Sequence, residues 1–509
     1  MVSTWILFAL AAVAAAQDCQ DYVSYTGQAH APFSSGKYNF SSMRPPEECR
    51  SFSSSEVEGV ITDMQQKIAD PDLYQLFQNA WPNTLDTTVR WVGNSSDDTS
   101  EELSFIITGD IDAMWLRDSA NQLKSYLPVL SANNTIGSLY RGAINLQARY
   151  LNESFFCQAF QPPAESQISA TANGAVDNDN VTPSYNNNTV FECKWELDSV
   201  ASFLDLSASY YRVTNDSSFF SNYQWTQTVQ SILNQSYYLQ NSTYSADGSV
   251  TTTPYTFTRL SSDSEGTQDN SGSGNAFENT GLIRSWFRPS DDATIYQGFI
   301  PANMMFSSAL SSSVSIANAI GESDLADQMS TLAKTVSKAI QKWGVKKVTT
   351  VDGQTTSVYA FEVDGYGSQN IMDDANLPSL LGAPVYGYVG TNDTTFQATR
   401  KLLLSSKNPY YGNGSVIAGI GSPHTGFGRV WPMSLIVRIM TSDDDEEIIS
   451  TLELLLGSTG GTGLIHESVN VNDGGDFSRQ WFAWANGLFG QMILELYQRK
   501  PHILQHSFQ

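Results

Sequence analysis

Basic residues are scarce in this chain of 509 residues. Lys and Arg number 27 against 52 Asp and Glu, which gives a formal net charge of −25 at neutral pH. A negative charge of this size repels the phosphates of nucleic acids and of anionic lipids. The composition therefore predicts that neither nucleic acid nor a membrane is a partner.

Apolar stretches long enough to span a bilayer are missing as well. The run over residues 5–16 falls short of the roughly 18 residues that a transmembrane helix needs. Because it ends in small residues, as secretory signals do, we expect residues 1–16 to be a signal peptide and the protein to be secreted. Eleven Asn-x-Ser/Thr sequons favour the same route and a glycosylated product.

Cysteine pairs with the spacing of a metal site are also absent. The chain has four cysteines and no Cys-x-x-Cys motif, a pattern that in an oxidising compartment favours two disulfides over zinc. Four cysteines allow three pairings. The arrangement we expect is Cys19 with Cys49 and Cys157 with Cys193. Motifs for phosphate chemistry are missing too, since no Gly-rich nucleotide loop precedes a helix with a Lys.

Helical periodicity dominates what the chain does contain. In residues 323–344 apolar side chains recur every three or four positions, which predicts a helix with one buried face. About eleven helices are expected, over residues 55–68, 119–127, 142–153, 195–211, 219–237, 292–312, 323–344, 395–405, 431–440, 442–457 and 480–499.

Strands are predicted to be few and short, near residues 87–93, 102–108 and 249–260. No interdomain linker is visible. We therefore expect residues 17–509 to form a single, mainly all-α domain. About a dozen one-faced helices can bury their apolar sides in a ring of helical hairpins, the (α/α)6 toroid.

The stretch TGDIDAMWLRDSANQ, over residues 108–122, concentrates charge in a chain that has little. Ser119 and Gln122 have the spacing of a capping box and predict a helix that begins at Ser119. Trp115, Arg117 and Asp118 would then lie in the loop before it. Taken alone, these residues could equally serve to cap and pair within that loop.

Further stretches share this mixture of carboxylates, Arg, His and aromatic residues. They are FECKWELDS (191–199), SWFRPSDDATIY (285–296), NIMDDANLPSLL (370–381), GSPHTGFGRVWP (421–432) and GLIHESVNVNDGGDFSRQWFAWANGLFGQ (463–491). Such clusters at successive helix ends suit a sugar, because carboxylates bind hydroxyls and transfer protons while indoles stack on the ring.

These blocks, in this order, resemble glycoside hydrolase family 125 over residues 80–497. The resemblance implies an exo-acting, metal-independent and cofactor-free α-1,6-mannosidase with an (α/α)6 barrel that inverts anomeric configuration. Its substrates would be α-mannose-containing oligosaccharides or glycoproteins. Two departures stand out: Trp286 occupies a position associated with Gly, and GSPHT is followed by Gly-Phe-Gly where Pro is frequent.

Inversion requires an acid and a base on opposite faces of the scissile bond. The resemblance assigns the acid to Asp291 or Asp292, of which Asp292 is preferred, and the base to Glu467. Because a helix start lowers the pKa of a carboxyl group, burial or a neighbouring charge has to keep such an acid protonated.

Substrate contacts are expected from nine further residues. Those implied to bind or enclose the terminal mannose are Trp115, Arg117, Asp118, Asp373, Asp374, His424, His466, Arg479 and Trp481. Each His could equally be structural. Of Glu196 and Asp198, two positions apart on a predicted helix, only one is expected to face the site.

Two other functions remain open at this stage. A calcium-dependent helical-barrel glycosidase would need a metal ion held by several oxygen ligands. A secreted, inactive mannose-binding relative would share the pocket but not the reaction. The presence of both candidate carboxyl groups favours the enzyme.

Overall fold

The computed structural model describes residues 19–261, 265–349 and 353–509, so the predicted signal peptide lies outside the described residues. Helices predominate in this part of the chain. They are α1 (Tyr22–Thr26), α2 (Ser55–Met64), α3 (Pro71–Ala80), α4 (Asn83–Thr87), α5 (Leu116–Lys124), α6 (Thr135–Glu153), α7 (Leu197–Thr214), α8 (Ser217–Phe220), α9 (Trp225–Leu239), α10 (Ile300–Ala319), α11 (Ser323–Ala339), α12 (Thr394–Leu403), α13 (Pro432–Met440), α14 (Asp445–Gly457) and α15 (Ala483–Arg499).

Five helices form an inner layer in which each contacts the next. Helix α13 packs on α15, α15 on α5, α5 on α7, and α7 on α10. Helices α7 and α10 are buried around most of their circumference, whereas α11 buries a single face. The outer helices α3, α6, α11 and α14 pack on α15, α7, α10 and α13 in turn. This arrangement is the expected barrel-like (α/α)6 fold.

The strands are short and antiparallel. They are β1 (Val89–Asn94), β2 (Glu102–Ile106), β3 (Met114–Trp115), β4 (Ala159–Phe160), β5 (Asn180–Thr182), β6 (Val190–Glu192), β7 (Thr256–Thr258), β8 (Gly298–Phe299), β9 (Val345–Thr349), β10 (Thr355–Tyr359), β11 (Glu362–Val363), β12 (Gln369–Asn370), β13 (Tyr411–Asn413), β14 (Ala418–Ile420), β15 (Arg429–Val430), β16 (Val469–Asn470) and β17 (Asp473–Phe477).

The small sheets brace the loops that precede the inner helices. Strand β3 pairs with β4, and β4 pairs with β6, immediately before α5 and shortly before α7. Strands β15, β16 and β17 form a second sheet, in which β15 comes just before α13 and β17 comes shortly before α15. The strands predicted near residues 87–93 and 102–108 are present as β1 and β2, which pair with Val92 opposite Ser104. The sheets therefore fix the chain at the end of the barrel where the inner helices begin.

Among the predicted helix starts that are wrong, two affect the site. Helix α5 begins at Leu116 because Trp115, in extended conformation, is its N-cap, while the Ser119 hydroxyl donates to the Trp115 carbonyl oxygen within the helix. Helix α10 begins at Ile300 rather than at residue 292. Asp291 and Asp292 consequently lie in a loop and not at a helix start.

Both expected disulfides are confirmed. Cys19 bonds to Cys49, and Cys157, after α6, bonds to Cys193, just before α7. Among the described residues no cysteine is left free. None of the helices in the described ranges combines the length and apolar character required to cross a lipid bilayer.

Replacing Cys157 and Cys193 together by Ser should lower the thermal unfolding midpoint. Opening a loop of 36 residues removes about 4 kcal/mol by the chain-entropy relation, which for a chain of this size is about 4 °C. Differential scanning calorimetry under non-reducing conditions measures the shift. The Cys19–Cys49 disulfide closes a similar loop of 30 residues, and the double Ser variant of these two cysteines is the control. A midpoint that does not move in the first variant would contradict a stabilising role for this disulfide.

Candidate active site

A pocket with about 460 Å³ of unfilled space, part of it open to solvent, lies at the end of the barrel where the inner helices begin. Fifteen residues line it, seven of them titratable. They are Asp110, Arg117, Asp118, Asp291, His424, Glu467 and Arg479, together with Thr108, Ile111, Trp115, Pro289, Ser290, Asn376, Trp431 and Phe482.

Three of the aromatic lining residues occupy the same structural position. Trp115, Trp431 and Phe482 are the N-cap residues of α5, α13 and α15, each with extended backbone. The backbone of an extended N-cap residue turns away from the helix axis. Its side chain therefore lies across the end of the helix. The positive ends of these helices therefore face the pocket and favour anionic groups there.

Asp291 reaches the pocket because of an unusual backbone conformation. Phe287 and Ala293 form a short bridge, and the N–H of Arg288 donates to the Asp292 carbonyl oxygen at 2.8 Å, which closes a tight loop. At its tip Asp291 is left-handed with φ of 61°, a conformation that costs a non-glycine residue about 1–3 kcal/mol. Strain of this kind is found where a side chain has to be aimed at a site.

Asp292 points the other way. It is fully buried and its Oδ1 lies 3.2 Å from Nδ1 of His424, so Asp292 does not line the pocket. Burial alone would lower the pKa of His424, but the hydrogen bond and charge of Asp292, with the charges of Glu467 and Glu265, raise this pKa to about 9. His424 is therefore a cation at neutral pH. It lines the pocket as expected, with Asp292 as its partner.

Glu467 is held on both carboxylate oxygens. Its Oε1 accepts from Nε of Arg479 at 2.9 Å, and its Oε2 accepts from the Ser478 hydroxyl at 2.7 Å. Arg479 in turn pairs with Asp110 through Nη1. A carboxylate with both oxygens engaged by donors is fixed in orientation, which is what a base that positions a water molecule needs.

The Arg117 guanidinium lies among four carboxyl groups. The distances are 2.5 Å from Nη1 to Glu196 Oε2, 3.2 Å from Nη1 to Asp198 Oδ2, 3.3 Å from Nε to Asp118 Oδ2 and 3.6 Å from Nη2 to Asp291 Oδ1. Glu196 and Asp198 are both completely buried, and neither lines the pocket, so the expectation that one of them would face the site is wrong. Glu196 is the extended N-cap of α7, and Asp198 lies in its first turn, which lets both reach one guanidinium.

One cation cannot balance four buried negative charges. The pKa values of the four carboxyl groups are therefore shifted, and not all in the same direction. Burial raises the pKa of Asp118 and of Asp198 to about 6 against the opposing charge of Arg117. Burial and the charge of Asp291 raise the pKa of Glu196 well above its ordinary value. For Asp291 burial acts upward too, but the charges of Arg117 and Lys194 prevail and lower its pKa.

Asp373 and Asp374 do not line the pocket. Asp373 is buried and accepts the N–H groups of Leu380 and Leu381 at 2.8 and 2.9 Å, so it shapes the backbone of that segment. Asp374 accepts from the hydroxyls of Ser290 and Ser422 at 3.3 and 3.1 Å. Burial raises their pKa values to about 8 and about 6. Asp374 therefore contacts the pocket only indirectly, through its hydrogen bond with Ser290, which lines the pocket.

His466 and Trp481 also lie outside the pocket lining. His466 is buried, stacks on Phe477 with ring centres 3.7 Å apart, and has a backbone carbonyl oxygen 2.9 Å from each ring nitrogen. Burial lowers its pKa. Trp481 packs edge-on against Tyr22 in a small apolar cluster with Met43. The neighbouring Phe482, as the N-cap, takes the place in the pocket that was expected of Trp481.

Several residues of the site were not predicted. Phe482 and Trp431 could have been found by the rule that an aromatic residue immediately before an inner helix faces the pocket. No comparable sequence pattern indicated Lys194. It is completely buried and pairs with Glu265 at 2.5 Å, and its charge acts on Asp291.

Comparisons with known proteins agree with this geometry. The family described as "Metal-independent alpha-mannosidase (GH125)" matches residues 70–494. The meiotically up-regulated gene 157 protein of Schizosaccharomyces pombe is 45% identical over 493 residues, which are 96% of this chain and 94% of that protein. The structure of a metal-independent α-mannosidase from Streptococcus pneumoniae, in a non-productive complex with α-1,6-mannobiose, has a TM-score of 0.76 at 31% identity, and the match covers 88% of this chain and 99% of the other.

Replacing Arg117 by Met should destabilise the fold strongly. Removing the cation leaves buried carboxylates uncompensated, and breaking a buried pair costs about 3–5 kcal/mol. The loss should be smaller at pH 5 than at pH 7, because the pKa values of the carboxyl groups rise further without Arg117 and the folded state then binds protons that the unfolded state releases. Thermal melting at both pH values measures this.

The matched control is Arg479→Met at the pocket rim, where the side chain is 28% exposed and solvent can hydrate the released carboxylates. Its melting temperature should fall by less. Equal losses in the two variants, independent of pH, would contradict the charge balance inferred for Arg117.

Proposed function

Since the chain belongs to the GH125 family of metal-independent α-mannosidases, we propose that it is an exo-acting α-1,6-mannosidase that inverts the anomeric configuration. Its substrates are oligosaccharides or glycoproteins that end in α-1,6-linked mannose. The observation that carries this proposal is that two carboxyl groups from distant parts of the chain, Asp291 and Glu467, line one pocket.

Asp291 is the general acid in this proposal. Its side chain lines the pocket and is 19% exposed, whereas Asp292 is buried behind it against His424. The preference for Asp292 drawn from the sequence is therefore replaced by Asp291. Asp291 protonates the glycosidic oxygen as the bond to the anomeric carbon breaks, and the leaving sugar departs as a neutral alcohol.

Glu467 is the general base. It takes a proton from a water molecule that attacks the anomeric carbon on the face opposite to the leaving group, which yields β-mannose. Arg479 and Ser478 hold the carboxylate in place. Trp115, Trp431 and Phe482 provide aromatic surface for the sugar ring.

We propose further that the protein acts after secretion. The predicted signal peptide, the sequons and the two disulfides support an oxidising compartment.

Incubation of the purified protein with α-1,6-mannobiose in EDTA should release mannose, and proton NMR should detect β-mannose first. Because the reaction is carried by protein carboxyl groups, the chelator should not change the rate. Initial release of α-mannose would contradict inversion. Loss of activity in EDTA that calcium restores would favour the calcium-dependent alternative, and binding of mannobiose without any hydrolysis would favour the inactive relative.

Variants should separate the two candidate acids. Asp291→Asn and Glu467→Gln should each lower kcat for mannobiose by about 10²–10⁴-fold, which is the usual contribution of a positioned acid or base. Asp292→Asn is the matched control, since it changes the neighbouring carboxyl group but leaves the pocket lining intact. Its effect should be smaller and should act through His424. Greater loss in Asp292→Asn than in Asp291→Asn would return the acid role to Asp292.

A further inference from the structure

A second cavity lies in the long connection between α9 and α10. It has about 700 Å³ of unfilled space, part of it open to solvent, and its lining residues come from the chain between residues 243 and 284. It shares no lining residue with the pocket of Asp291 and Glu467. Among the described residues that line it, none is acidic and Arg284 alone is charged. The proposed mannosidase reaction makes no use of this cavity.

Arg284 differs from every other buried Arg or Lys in the described part of the chain. Five such side chains are buried, and four of them pair with a carboxyl group: Arg117, Lys194, Arg259 and Arg288. Arg284 is only 6% exposed and forms no ion pair with a described carboxyl group. Because a buried charge is costly unless it is paired, an isolated buried guanidinium points to a partner of another kind.

The Arg284 guanidinium is held in one orientation by its neighbours. Its Nε donates to Gln297 Oε1 at 2.8 Å, and its Nη2 donates to the Ser273 carbonyl oxygen at 3.3 Å. The group also lies over the ring of Trp286, with Cζ 4.5 Å from the ring centre. Gly274 permits this packing, because a Cβ at that position would overlap the Gln297 amide.

The third guanidinium nitrogen, Nη1, is accessible from the cavity. It donates to no described residue, and it is not among the fully buried side-chain atoms without a partner, so part of its surface is open to the cavity. Burial lowers the pKa of Arg284 to about 10, and no neighbouring charge of the described residues offsets this effect. The group is still a cation at neutral pH. The cavity therefore presents a positively charged N–H donor that no acid neutralises.

We propose that this cavity is a second binding site, for a phosphate or carboxylate group carried by a sugar-sized molecule. Arginine binds such oxyanions through charge-assisted hydrogen bonds, and here the guanidinium is already oriented. The polar residues Thr251, Asn270 and Ser273 line the same cavity and have side chains of the kind that bind ligand hydroxyls. The ring of Tyr244, which is half exposed, suits the apolar face of a sugar.

Isothermal titration calorimetry of the purified protein tests the site, with glucose 6-phosphate and glucuronate as anionic probes and glucose as the neutral probe. At constant ionic strength at least one anionic probe should bind, and at least about tenfold more tightly than glucose, because glucose makes no charge-assisted bond to Arg284. Binding of glucose 6-phosphate alone assigns a phosphate, and binding of glucuronate alone assigns a carboxylate. Inorganic phosphate and acetate should bind more weakly than the sugars, since they leave the other lining residues without contact.

Variants at Thr251 locate the bound anion without changing Arg284. Thr251→Glu adds a carboxylate to the cavity lining, which repels the anion and competes for the guanidinium. Thr251→Gln is the matched control, because it adds the same volume without a charge. The Gln variant should bind the anionic sugar at least about tenfold more tightly than the Glu variant. Arg284→Gln removes the cation itself and should weaken binding by at least about tenfold relative to the wild type.

Three results would overturn the inference. Failure of both anionic sugars to bind, or equal affinity for glucose, would leave Arg284 with a structural role only. Equal affinity in the two Thr251 variants would mean that the anion binds elsewhere. Equal affinity for the sugar and for its free anion, phosphate or acetate, would overturn the assignment of a sugar. Calorimetry needs no hydrolysis, so its outcome is independent of whether the protein cleaves mannobiose.

Discussion

The Arg117 guanidinium joins carboxyl groups from three separate parts of the chain: α5 itself, the start of α7 and the loop over residues 288–292. Burial makes each of these charges costly, so the groups have to share one cation and retain protons. Asp291 lies at the pocket in a left-handed conformation, 3.6 Å from the Arg117 guanidinium.

The barrel supplies the geometry that the chemistry needs. Inner helices that begin at the same end bring their N-cap residues together, and the extended N-cap backbone turns Trp115, Glu196, Trp431 and Phe482 towards one region. The base side is built separately, by the sheet of β15, β16 and β17 next to Glu467 and Arg479. The proposed acid and the proposed base are therefore positioned by different parts of the fold. Each can be held on its own side of the pocket.

The sequence was sufficient for the fold class, the family and the order of the site blocks, because helical periodicity and motif order are local signals. It was insufficient to predict which of two adjacent residues directs its side chain into the pocket. Asp291 and Asp292 are neighbours, and only a left-handed backbone at Asp291 decides which of them lines the pocket. Trp481 and Phe482 are neighbours too, and the N-cap position decides between them. Arg117 and Glu196 are 79 residues apart, so no local pattern indicates their ion pair.

In the proposed reaction, Asp291 and Glu467 act on one glycosidic bond from opposite faces. A crystal structure of the protein with the sulfur-linked analogue of α-1,6-mannobiose, which is not hydrolysed, tests it most directly. We expect the Asp291 carboxyl group at hydrogen-bond distance from the linking sulfur, and Glu467 bound to a water molecule below the anomeric carbon, with the two carboxyl groups about 6.5–9.5 Å apart. A sugar seated away from this pocket, or a linking atom that faces neither carboxyl group, would contradict it.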